Sequence, residues 1–204
     1  MKSRLILLCF SALISTHILF AQKEGNAPFV TRTFTAAQLG NLEVLTSGGS
    51  ISVTGNRTSG YQVDMFVKSA NWKERSELSD KEIEDRLDDY DIEIKTIGNR
   101  VVASAKRKQN LKWDNNRSIS ISFVVYSPKK SNSHLVTSGG SIALSNLFGS
   151  QVFVTSGGSL KVSNIEGSVS GKTSGGSITV TGCKDNIALE TSGGSIKAND
   201  LIGK

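Results

Sequence analysis

The block Thr-Ser-Gly-Gly-Ser followed by an aliphatic residue occurs at 137–142, 155–160, 173–178 and 191–196, each copy starting 18 residues after the last. A fixed period of this kind is the mark of stacked repeats, in which no unit buries its apolar face alone. A fifth copy at 46–51 begins 91 residues ahead of Thr137, so a segment of different character separates one repeat from the other four.

Aligned on the block, the repeats share apolar columns. Ile142, Leu160, Ile178 and Ile196 form one, and Leu144, Val162, Val180 and Ala198 form a second two residues on, the alternation of a half-buried strand. A third reads Leu147, Ile165, Cys183, Leu201. These columns are the expected core ladder. A less regular second strand aligns Gln151 and Phe153 with Val169 and Gly171, then with Ile187 and Leu189; Leu42 and Val44 fall in the same columns ahead of the Thr46 copy.

Eighteen residues are too few for a helix, a strand and two turns, and leucine-rich repeats are longer. Short strands stacked at ~4.8 Å fit instead. The expected fold is therefore all-β: a single-stranded β-helix (β-solenoid) with 18-residue coils and a small helix/hairpin insertion. In this reading the Gly-Gly pair turns the corner through positive φ, and the Thr and Ser hydroxyls bond neighbouring backbone and their copies one coil away. The hydroxyl row Thr137, Ser138, Ser141, Thr155, Ser156, Ser159, Thr173, Ser174, Ser177, Thr191, Ser192 and Ser195 is a candidate binding face. Two rival solenoids fail on spacing. A hexapeptide helix would place Glu166 and Lys172 where aliphatics are required, and a calcium roll needs an Asp that the Gly-Gly-Ser sequence lacks.

Around the repeats, Tyr61, Val63, Met65 and Val67 alternate as a longer strand, and Ser79-Asp-Lys-Glu82 is a capping box ahead of Ile83, Leu87 and Tyr90, spaced for one face of a short helix. Ile92, Ile94 and Ile97 lead through Gly98-Asn99 to Val101, Val102 and Ala103, a hairpin pattern, and a further strand follows over 118–126. Ten acidic residues fall between Glu74 and Glu93, with Lys106, Arg107, Lys108, Lys112 and Arg117 after them, which reads as solvated charge of two signs. The organisation expected is 1–21 as a signal peptide and 22–204 as one domain: first coil and strands at 28–68, helix/hairpin insertion at 69–130, four-coil array at 131–204.

The signal peptide follows from Lys2 and Arg4, an apolar run from Leu5 to Phe20, and Ala21 before polar Gln22-Lys23-Glu24. Its removal would take Cys9 and leave Cys183 as the one thiol, and would lower the formal charge from +6 to +4 by the loss of Lys2 and Arg4. Export to the periplasm, cell surface or medium is expected, with no transmembrane segment in the mature chain. Nucleic acid is not an expected partner, because the positive charge is small and scattered.

The order of parts resembles the bacterial putative-adhesin repeat family, a domain family of unassigned function. The match runs over roughly 42–204 and is carried by the five Thr-Ser-Gly-Gly-Ser blocks, Leu147-Phe-Gly149, Ile165-Glu-Gly167 and the passage Phe123-Val-Val-Tyr-Ser-Pro128. The resemblance implies a β-helix and supplies no catalytic residues. Cys183-Lys-Asp185 departs from it, with Asp where Gly stands at 149, 167 and 203.

Little points to catalysis. His134 is the one histidine expected in the mature chain and sits in a polar stretch, as surface histidines do; Cys183 occupies an aliphatic column, as an inert buried thiol does. Polysaccharide-active β-helices need clustered acids, whereas the array from Thr137 holds only Glu166, Asp185, Glu190 and Asp200, none repeating at 18. Glu190 and Lys172 share a column and should form an ion pair between repeats. The chain is expected to be non-catalytic and free of cofactor and metal. It would bind a glycan or other envelope or surface polymer in adhesin-like fashion, or serve as a self-associating envelope scaffold. The last repeat stops at Lys204 with no capping element legible, so self-association through end coils is the alternative expected.

Overall fold

The computed structural model describes residues 27–35, 40–71, 78–109 and 117–203. The expected signal peptide, Cys9, Glu74 and Lys112 lie outside them. No helix among the described residues is long and apolar enough to cross a membrane.

Among the described residues, fifteen strands and one helix follow in chain order: β1 (Val30–Phe34), β2 (Asn41–Thr46), β3 (Ile51–Arg57), β4 (Tyr61–Ser69), α1 (Asp80–Leu87), β5 (Tyr90–Ile97), β6 (Arg100–Arg107), β7 (Ile119–Pro128), β8 (Asn132–Thr137), β9 (Ile142–Phe148), β10 (Gln151–Thr155), β11 (Leu160–Glu166), β12 (Val169–Thr173), β13 (Ile178–Thr181), β14 (Ile187–Thr191) and β15 (Ile196–Asn199). They form an eight-stranded sheet, β1-β4-β7-β3-β9-β11-β13-β15, and a seven-stranded sheet, β14-β12-β10-β8-β2-β6-β5. The inward side chains of both sheets share one core cluster.

This arrangement corrects the expectation of a single-stranded β-helix. Both sheets mix orientations, since β1–β4, β4–β7 and β5–β6 pair antiparallel while the other pairs are parallel. The reason is the path of residues 57–128. A small helix/hairpin insertion was expected at 69–130, but strands β4 to β7 build the far side of both sheets. β7 lies parallel to β3 and antiparallel to β4, and the β5–β6 hairpin joins the seven-stranded sheet beside β2. None of these strands carries the 18-residue pattern, so the repeat arithmetic was blind to their pairing.

Within the repeats, residues 18 apart do pair in register: Leu160 lies beside Ile142 and Ile178, Val162 beside Leu144 and Val180, Ile165 beside Leu147. Leu147, Ile165 and Cys183 are at most 2% exposed. The irregular second strand has a steric explanation. A Cβ on Gly171 would lie 2.2 Å from Cε2 of Phe153, so the ring of one repeat occupies the space that glycine leaves in the next. Gln151, fully buried, is satisfied by the Ser133 hydroxyl at 2.5 Å and by donating to the Ser131 carbonyl at 2.7 Å; the Tyr61 hydroxyl meets Ser131 Oγ at 2.7 Å. Such a connected polar group fixes register where aliphatics alone would not.

The helix keeps its capping box. Ser79 N–H donates to Glu82 Oε2 at 2.8 Å, and Glu82 N–H donates to Ser79 Oγ at 3.3 Å. Ile83 is buried, and Leu78 and Leu87 pack on the common core. Arg117 ties α1 to the start of β7 through Asp89 at 3.1 Å and Asp85 at 2.7 Å, contacts that hold its guanidinium protonated more firmly than usual.

Candidate binding face

The Thr-Ser-Gly-Gly-Ser corner works differently from its sequence reading. None of its glycines has positive φ; the glycines that do are Gly60, Gly98, Gly149, Gly167 and Gly182. What demands glycine is close approach of backbones. A Cβ on Gly140, Gly158, Gly176 or Gly194 would lie 2.0–2.3 Å from the carbonyl oxygen of the second glycine one layer away, and on Gly49 it would lie 1.8 Å from the Ile121 carbonyl. The first glycine is free of this, with nothing nearer than 3.2 Å at Gly139, Gly157, Gly175 or Gly193.

The corner threonines also leave the candidate face. Thr137, Thr155 and Thr173 are at most 2% exposed. Their hydroxyls, with that of Thr191, donate to the carbonyls of Gly49, Gly140, Gly158 and Gly176 at 2.7–2.8 Å, and each accepts from the amide of its own second glycine. Thr46 does the same toward Ile121 O at 2.7 Å. The second serines are exposed but serve the backbone in part: Ser141 Oγ accepts from Ser159 N at 3.1 Å and Ser177 Oγ from Ser195 N at 3.4 Å. Ser122 extends that row one strand further, accepting from Ser50 N at 3.0 Å. Of the hydroxyl row, Ser138, Ser156, Ser174 and Ser192 face solvent. The row is thus mostly a device for stacking corners.

A different surface brings separated residues together. On the outer face of the seven-stranded sheet, cross-strand registers align Glu43, His134, Val152 and Ser170 in one row, and Leu45, Val136, Val154 and Lys172 in the next, the rows ending at buried Val102 and Ser104 of β6. Val152 and Val154 are 37% and 38% exposed, and Leu45 and Val136 are half-buried. Beside them a shallow depression of about 370 Å³ is lined by Asn41, Glu43, Arg100, Asn132, His134 and Ser150. Arg100 pairs with Glu43, Asn132 donates to Asn41 Oδ1 at 3.2 Å, and Ser150 N donates to Asn132 Oδ1 at 2.9 Å. The result is a flat surface, fixed by strand pairing, on which aliphatic patches adjoin hydrogen-bonding groups. Of the residues lining the depression, His134 alone was singled out from sequence, as a surface histidine, and it is exposed here. Glu43 and Arg100 meet because β2 and β6 pair, which no sequence spacing announces.

The remaining sequence candidates are accounted for. Cys183 is fully buried, and desolvation raises its thiol pKa above the ordinary 9.0 against two backbone contacts that lower it. Lys172 Nζ meets Glu190 at 2.7 Å, with Lys184 and Glu166 a second such pair at 3.1 Å. No group of three or more His, Cys, Asp or Glu arranged to hold a metal ion occurs among the described residues.

No protein-family model matches the chain, and no curated protein matches it. Among solved structures it is similar to a putative cell adhesion protein from Clostridium sporogenes, at 9% identity and a TM-score of 0.45, over 86% of this chain and 99% of that one. It is also similar to a putative lipid binding protein from Parabacteroides distasonis, at 13% identity and a TM-score of 0.24, over 88% of this chain and 97% of that one.

Proposed function

We propose that this chain is an exported, non-catalytic binding protein of adhesin-like character, which holds a glycan or other envelope or surface polymer on the outer face of its seven-stranded sheet. The observation that carries the reading is the in-register surface just described. Exposed Val152 and Val154 can cover the C–H face of a sugar ring, while Arg100, Glu43, Asn132 and His134 can bond its hydroxyls. An extended polymer suits a site of this shape, because adjacent strands repeat the same outward side-chain positions along the sheet. The leader-like start of the chain supports export.

The test is a glycan array and an envelope-polymer pull-down with wild type and an Arg100→Ala/Val154→Ser variant, whose positions are at the surface. Binding by wild type, weakened about tenfold or more in the variant, is expected from loss of one charged bonding group and one apolar contact. No binding by wild type, or equal binding by both, would refute it.

A further inference from the structure

The two sheets end differently. At one end the inward side chains are covered: Val30 and Phe34 of β1, Ile92 and Ile94 of β5, and Leu78 and Leu87 around α1 all pack on the core. At the other, β14 and β15 are edge strands, paired with β12 and β13 on one side and with no strand on the other among the described residues. The core columns surface there. Ile196 is 49% exposed where Ile142, Leu160 and Ile178 in its column are at most 1%, Leu201 is 38% exposed in the column of Leu147, Ile165 and Cys183, and Ile202 is 64% exposed.

We propose that this end is an interface with a second copy of the chain, in which β14 of each subunit lies antiparallel beside β15 of the other. Side-chain parity and charge together select the register. Pairing Leu189 with Ala198 and Thr191 with Ile196 keeps the inward residues of both strands inward, and the same register sets Glu190 beside Lys197 and Ala188 beside Asn199 on the outer faces. A two-fold axis makes each contact twice, so the interface carries two unlike-charge pairs and no like-charge pair. Glu190 has 62% of its side chain exposed even while bonded to Lys172, and Lys197 forms no ion pair among the described residues. The edge thus complements itself in register, apolar face and charge, which is why a second copy is the occupant assigned. The unpaired amides and carbonyls of both edge strands would be satisfied in the same step.

The experiment is sedimentation of the chain purified from an exporting host across a concentration series, comparing wild type with Glu190→Lys, Lys197→Glu and the double exchange. Wild type should show a monomer–dimer equilibrium. Each single reversal should raise the dimer Kd about tenfold or more, and the double exchange should restore it, although it cannot restore the Lys172 contact. Hydrogen exchange on wild type needs no substitution and should show protection of amides at 188–190 and 197–199 rising with concentration. Wild type that stays monomeric, a dimer indifferent to single reversals, a double exchange no better than the singles, or exchange independent of concentration would each overturn the interface. None of these results bears on polymer binding at the outer sheet face.

Discussion

Replacing Gly158 by alanine tests the account of the corner most directly. The new Cβ would lie 2.0 Å from the Gly140 carbonyl oxygen, 2.3 Å from its carbon and 2.5 Å from Ser141 N, where ordinary contact begins at 3.4 Å. All three are backbone atoms, so no flexible side chain can move aside. Relief requires the layers to separate at the corner. That strains the two bonds that join these layers, from Thr155 to Gly140 O at 2.8 Å and from the Ile142 amide to Ser159 O at 3.0 Å. Overpacking of this kind costs ~1–3 kcal/mol and each weakened hydrogen bond ~1 kcal/mol, so a loss of about 3–5 kcal/mol is expected. For a chain of this size that lowers the Tm by about 10 °C. The control is one residue away. At Gly157 a Cβ would meet nothing nearer than 3.7 Å, and alanine there should be neutral or stabilising by up to ~1 kcal/mol through the unfolded chain. Urea denaturation of both variants decides. If Gly158→Ala falls within ~0.5 kcal/mol of wild type, the ordinary range for innocuous surface changes, or if Gly157→Ala costs as much, the close-approach explanation fails.

Three further outcomes are expected. Gly171→Ala should destabilise by ~1–3 kcal/mol through its clash with the Phe153 ring, and Phe153→Leu should relieve much of that; additive effects in the double-mutant cycle would show that the two positions do not share space. Burial raises the pKa of the Cys183 thiol and of the Tyr61 hydroxyl above 9.0 and 10.0, so the unfolded chain releases these protons first. Their stabilisation is full below those values and is lost as pH rises through the folded-state pKa, so unfolding free energy should fall above about pH 9, less steeply in Cys183→Val, and a flat profile to ~pH 10.5 would contradict it. Asp185 holds a φ of 79° in the column where Gly149 and Gly167 also have positive φ, and Asp185→Gly should raise stability by up to ~1 kcal/mol in urea denaturation; a loss would mean the carboxylate has a role that outweighs the strain.

Much of the local architecture could be read from the residues. The 18-residue period places Ile142, Leu160 and Ile178 side by side, the capping box marks the start of α1, and Gly98-Asn99 marks the hairpin between β5 and β6. Each is a short-range or strictly periodic signal, so the chain's own spacing carries it. The candidate surface was far less legible. The hydroxyl row was visible in sequence, but spacing cannot tell a hydroxyl facing water from one turned inward to a carbonyl 15 residues away in the chain, as Thr155 and Thr173 are.

What sequence alone determined is therefore the stacking of the repeats, because identical units meet identical neighbours and a single period specifies every contact. Tertiary structure alone decided how the stack is completed. The strands β1, β4, β5, β6 and β7 have no periodic partner, and they occupy the sides of β2 and β3 opposite β8 and β9. Placing β6 beside β2 brought Arg100 to Glu43, and the antiparallel pairing of β4 with β7 and of β5 with β6 turned a simple stack of coils into two mixed sheets.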